Sequence, residues 1–160
     1  MGCGKSSVGR RLSELLCCPF IDLDEVIVER AGRSIPEIFA EDGEAVFRQM
    51  ELEALKDILG TGHPAMILAL GGGAVMTPEC AQIVHEQTFC IYLRCSIETL
   101  MGHLSTEAEG RPMLKGDALH ERITKLMGLR SETYEKTAHM VMDIDGMTID
   151  AVSYKIATFV

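Results

Sequence analysis

Gly2-Cys3-Gly4-Lys5-Ser6-Ser7 opens the chain, and its reading decides the fold. It is the back half of the phosphate-binding pattern G-x-x-x-x-G-K-[ST]. In that pattern the amide N–H groups of a glycine-rich turn surround the α- and β-phosphates, the Lys reaches the β/γ-phosphates and the hydroxyl holds Mg²⁺. Counted back from Gly4, the first glycine of the pattern falls ahead of Met1, so the match is one of register. Val8, Leu12, Leu15 and Leu16 then recur at helical spacing, and Ser6 to Leu16 reads as an amphipathic helix beginning where the loop ends. A helix N-terminus pointing at a phosphate is the geometry such a loop needs.

At 160 residues the chain is expected to form one domain with a core of its own. Hydrophobic residues make up 47% of it, but no apolar run approaches the ~20 residues that span a bilayer. No secretory signal is recognised either, so a cytoplasmic protein without membrane partners is expected. A net charge of −9 argues against a nucleic-acid backbone as partner, since tracking phosphates along a duplex needs a basic face. The six cysteines show no C-x-x-C spacing and read as buried thiols, with Cys3 in the loop as the exception. The five histidines are scattered and receive no role.

Short apolar runs alternate with helical patterns along the chain, the signature of an α/β fold with a parallel sheet. Strands are predicted at Phe20–Asp22, Ala65–Leu70, Phe89–Leu93 and Met140–Ile144. Helices are predicted at Glu25–Ala31, in a Ser34-capped turn with Pro36 just inside, and at Glu44–Leu59, Pro78–Glu86, Ile97–Leu104, Leu119–Thr133 and Thr148–Val160. The polar stretch from 105 to 117 lacks periodicity and carries Gly110, Pro112 and Gly116, which suits a lid loop.

The charged residues distribute around that sheet. Asp22 and Asp24 fall at the carboxyl end of the first strand, where open α/β sheets bind ligands. They read either as a strand end with an N-capping Asp or as two carboxylates that hold hydrated Mg²⁺ and orient an acceptor hydroxyl. Arg48 and Glu51 share one helix face at i, i+3, either as an exposed salt bridge or as an arginine presented by its glutamate to a substrate carboxylate. Gly71-Gly72-Gly73 follows a strand directly and leaves a bare backbone that a ligand can approach. Arg111 in the lid and Arg130 on a long helix are either surface charges or, for Arg111, a residue that swings over a phosphate when the loop closes.

Taken together, the set resembles the shikimate kinases, a family of small P-loop enzymes related to the nucleoside monophosphate kinases. The residues that carry the likeness are the G-K-S loop, Asp22-Leu23-Asp24, Phe47-Arg48-x-x-Glu51, the triple glycine, Arg111-Pro112, and R-x-x-x-Y-x-x-x-A at Arg130, Tyr134 and Ala138. The resemblance implies a three-layer fold with a five-stranded parallel sheet flanked by helices, and transfer of the ATP γ-phosphate to the 3-hydroxyl of shikimate. It implies that Gly2, Cys3, Gly4, Lys5, Ser6, Ser7 and Arg111 bind the nucleotide. Ser6 and Asp22 then hold Mg²⁺, and Asp24, Arg48, Gly71, Gly72, Gly73 and Arg130 bind shikimate. Lys5, Asp24 and Arg111 are the expected catalytic residues, Phe39 and Phe47 the pocket walls, and a monomer the expected state.

Two departures alter that expectation. Family members often carry Ser or Thr just before the glycines, where Ala69-Leu70 stands here, which puts more of the metal binding on Ser6 and Asp22. A proline common between the Arg and Tyr of the last motif is replaced by Glu132. No strand precedes the loop in the 160 residues. The sequence therefore leads to four strands of the five and to the expectation that about ten upstream residues, an apolar strand ending in Gly-x, are needed for folding and turnover. Two other readings stand beside this one: a gluconate-kinase-like enzyme of the same fold, and a remnant that binds shikimate without turnover.

Overall fold

In a computed structural model, residues 2–62, 65–107 and 117–160 are described. Helix α1 (Lys5–Leu16) leads into strand β1 (Phe20–Asp22), followed by α2 (Leu23–Ala31), α3 (Ile35–Glu41) and α4 (Gly43–Gly60). Strand β2 (Ile67–Ala69), a 3-10 turn (Ala74–Met76), α5 (Pro78–Gln87), β3 (Ile91–Arg94), α6 (Ile97–Glu107), α7 (Asp117–Thr137), β4 (Met140–Asp143) and α8 (Ile149–Ala157) complete the order. Each predicted strand and helix is present, with ends shifted by a few residues. The lid prediction needs correcting at both ends: α6 runs on to Glu107 and α7 begins at Asp117. The remainder of that stretch, with Arg111 and Pro112, lies outside the described residues.

All pairing is parallel, in the registers Phe20↔Ile67, Ile21↔Leu68 and Asp22↔Ala69 for β1–β2 and Ile91↔Met140 to Arg94↔Asp143 for β3–β4. Among the described residues the four strands form two pairs, β1–β2 and β3–β4, with no ladder joining them. Helix α1 bridges the pairs. Its Val8 and Leu12 share a core cluster with Ile67 of β2 and with Ile91 and Leu93 of β3. A second cluster joins Leu23, Ile27, Ile38, Phe47, Leu55 and Val84 around the first pair.

Local chemistry ends and starts these elements where the site needs them. Asp22 closes β1 and caps α2, accepting the Asp24 N–H at 3.0 Å through Oδ1. The Glu37 carboxylate accepts the Ser34 N–H at 2.8 Å and its hydroxyl at 2.6 Å, which fixes the start of α3. Asp145 accepts the Ser96 N–H and the Thr99 hydroxyl, tying the turn after β4 to the start of α6.

Cysteine burial is more varied than expected. Cys80 and Cys95 are buried, and desolvation pushes both thiols up to about 11. Cys17 is exposed, because it ends α1 in the left-handed region at φ 51° and faces outward, while Cys3, Cys18 and Cys90 are half-buried.

Candidate active site

The loop residue Gly4 caps α1 at φ 74° and ψ 21°, a left-handed conformation that glycine reaches without steric cost. It offers no side-chain acceptor to the first turn of the helix, and that turn carries no acid. Among the described residues the N–H groups of Lys5, Ser6 and Ser7 are not capped by a side chain, and the first turn holds no like-signed competitor for an anion. The Ser6 hydroxyl donates to Asp22 Oδ2 at 2.6 Å, which joins the loop to the end of β1.

Asp22 thus does both things the sequence offered as alternatives. One oxygen caps α2 and the other takes the Ser6 hydroxyl. Asp24 sits one step further, half-buried, with its carboxyl raised above the ordinary range by desolvation and then by the Asp22 charge. Lys5 and Arg48 pull it the other way, so the phosphate loop and the acceptor side meet electrostatically at this one carboxyl.

Arg48 and Glu51 do not form the exposed pair that i, i+3 spacing allows. Glu51 is only 1% exposed and takes Arg48 Nη1 at 2.7 Å through Oε2, while Glu44 holds the other side of the guanidinium at 3.1 Å. Glu51 Oε1 is buried without a hydrogen-bond partner among the described residues, and desolvation raises its carboxyl although Arg48 works against the shift. Glu44 was not among the expected site residues, and its i, i+4 spacing to Arg48 was the available signal.

The triple glycine is where these side chains converge. A Cβ on Gly71 would lie 2.6 Å from Asp24 Oδ1 and 3.0 Å from Glu51 Oε1, and one on Gly73 would lie 2.5 Å from both Arg48 Nη atoms. From α7, Arg130 Nη1 donates to the Gly72 carbonyl at 3.2 Å, and the Tyr134 hydroxyl donates to the same oxygen. Phe39 and Phe47 pack with ring centroids 4.7 Å apart and planes tilted by 38°, beside the Arg48 end of this group. Gly4, Lys5, Ser6, Asp22, Asp24, Arg48, Gly71, Gly72, Gly73 and Arg130 are linked by these contacts and fields into one site. Cys3 lines a cavity of about 50 Å³ with Tyr92, Arg130 and Tyr134, next to that group. Glu132, in place of the family's proline, pairs with Lys136 on the surface at 2.7 Å and leaves the motif's Arg and Tyr in place.

A phosphate loop opening a helix, an acid pair at the end of the neighbouring strand, and arginines gathered over a glycine turn define a P-loop kinase of a small anionic acceptor. The shikimate kinase family model matches residues 1–160. A shikimate kinase from Dictyoglomus turgidum is 38% identical over 98% of this chain and 90% of its own length, and one from Geobacter sulfurreducens is 39% identical over 100% and 86%. The solved structure of shikimate kinase from Acinetobacter baumannii in complex with shikimate superimposes with a TM-score of 0.89, at 29% identity over 99% of this chain and 87% of that one. The chain belongs to the shikimate kinase family. It is an ATP-dependent kinase, a phosphotransferase with an alcohol acceptor.

Proposed function

We propose that the acceptor is shikimate, phosphorylated at its 3-hydroxyl, and that the roles divide between the two sides of Asp24. The observation that carries this reading is the packing of Asp24, Glu51 and Arg48 onto Gly71 and Gly73, together with an α1 N-terminus that no side chain caps among the described residues. Oxygen donors from Ser6 and Asp22, 2.6 Å apart, suit Mg²⁺, which takes few protein oxygens and otherwise phosphate and water. Bound there, the ion would neutralise charge on the transferring phosphates.

The loop N–H groups and Lys5 bind the phosphates and fix the γ-phosphoryl over the acceptor side. Arg48, held in orientation by Glu51 and Glu44, pairs with the acceptor carboxylate, and Arg130 joins it from α7. Asp24 accepts the proton of the attacking hydroxyl, a task suited to a carboxyl raised above its usual range. Arg111 supplies charge over the phosphates as the reaction proceeds. The protein acts as a cytoplasmic monomer without nucleic-acid or membrane partners. Among the described residues, no helix is long and apolar enough to cross a membrane.

An ADP-release assay tests the assignment with shikimate, gluconate and nucleoside monophosphates as acceptors. Turnover is expected with shikimate, and Asp24→Asn should lower kcat by ~10²-fold or more while leaving both KM values near wild type. Turnover with gluconate and none with shikimate would overturn the substrate. A near-normal kcat in Asp24→Asn would remove Asp24 as base.

A further inference from the structure

Two donors share one acceptor at the centre of this site. Arg130 and Tyr134 stand one helical turn apart on α7 and therefore on one face. Both donate to the Gly72 carbonyl, Arg130 through Nη1 at 3.2 Å and Tyr134 through its hydroxyl. The Tyr134 ring is in turn held against Tyr92, with centroids 5.1 Å apart and planes tilted by 50°.

The shared carbonyl has a consequence on the other side of its peptide plane. Every peptide bond among the described residues is trans, so the Gly72 C=O and the Gly73 N–H point in opposite directions. Holding the carbonyl toward α7 turns the Gly73 N–H away from α7. Among the described residues no acceptor takes that N–H, and the space over the Gly73 α-carbon belongs to Arg48. The hydroxyl of Tyr134 is neutral, and besides the Gly72 carbonyl it meets the Arg130 guanidinium itself. Arg130, by contrast, carries the charge that an acceptor carboxylate needs.

We propose that Tyr134 is a positioning residue of the acceptor site. It keeps the Gly72 carbonyl when the Arg130 guanidinium turns to the acceptor carboxylate, and so holds the Gly73 N–H ready for an acceptor oxygen throughout. The inference rests on the reading of Arg130 as a carboxylate ligand. Without Tyr134, Arg130 would be the remaining side-chain donor to Gly72, and binding the carboxylate would compete with holding the turn.

Tyr134→Phe keeps the ring against Tyr92 and removes only the hydroxyl. It should raise the shikimate KM, and the shikimate Kd measured by calorimetry without nucleotide, about tenfold. The KM for MgATP and kcat should stay within about twofold. Tyr134→Leu removes the ring as well and serves as the packing control: its Tm should fall below that of Tyr134→Phe while its shikimate Kd rises no further. In a cycle with Arg130→Met, the double variant should lose less affinity than the product of the single losses, because the two side chains act through one carbonyl.

An unchanged shikimate Kd in Tyr134→Phe, or a parallel rise in the KM for MgATP, would overturn the proposal. So would strictly multiplicative losses in the cycle. The two failures read apart. No effect of Arg130→Met on shikimate binding removes the carboxylate role of Arg130, whereas a weakened Arg130→Met beside an unaffected Tyr134→Phe removes the role of Tyr134 alone.

Discussion

Gly73 has no side chain because the Arg48 guanidinium already fills the place where a Cβ would be, 2.5 Å away. Three glycines after a strand were legible as a site from sequence, on the argument that bare backbone admits a ligand. The structure gives that absence a nearer cause: at Gly71 and Gly73 the space is taken by the chain's own Asp24, Glu51 and Arg48. Spacing along one helix cannot report this, since the glycines that pack on Arg48 and Glu51 lie twenty or more positions away. The cause also sets the effect of a substitution. A methyl on Gly73 would push the guanidinium aside, and misplacing a binding group by about 1 Å costs up to ~10² in rate or affinity. Gly73→Ala should therefore raise the shikimate KM ten- to a hundredfold and leave the KM for MgATP unchanged, read from initial rates with each substrate varied in turn. Equal effects on both substrates would mean that the turn serves folding and not acceptor binding.

Helix α4 shows the same limit at the scale of an element. Its extent was readable from Phe47, Leu52, Leu55 and Ile58, which recur on one face and lie buried in the core. The 3-10 turn at Ala74–Met76 was not, because three residues give no period to detect. Nor was the depth of Glu51, a carboxylate that sequence reasoning places at the surface by default. Burial raises its carboxyl in the folded protein above the unfolded value, so the folded state holds the extra proton. Stability from that proton is fully present below the ordinary glutamate range near pH ~4.3 and is lost as pH rises through the raised value. Glu51→Gln is neutral at every pH and keeps an oxygen for Arg48. The Tm of the variant relative to wild type should accordingly climb as pH rises above the ordinary glutamate range, measured by thermal melts in constant-ionic-strength buffers. A difference that is flat, or that falls with pH, would show that the Arg48 pairing outweighs burial.

Over the whole molecule, the decisive feature is that the four strands among the described residues stand as two parallel pairs joined by the core contacts of one helix. The sequence foretold four strands in parallel order, since each apolar run could be read by itself. How the pairs would sit was beyond it, because register and order depend on partners far apart in the chain. A two-stranded pair is marginal alone, and β2 and β3 each keep one edge without a ladder among the described residues. The two pairs run parallel within themselves and share core contacts through Val8 and Leu12 of α1. An apolar strand laid parallel between β2 and β3, feeding directly into the loop at Gly2, would satisfy both edges and place the loop at the end of a central strand, the geometry a phosphate loop is built on. We therefore expect the 160 residues alone to melt broadly and to release ADP slowly. Fusing an apolar strand of about five residues and a Gly-x turn ahead of residue 1 should give a cooperative transition, a Tm at least several degrees higher and faster turnover. A polar strand of equal length is the control and should do neither. If the chain melts sharply without any addition, and the apolar strand changes neither Tm nor rate, the two open edges are not a binding place for a strand.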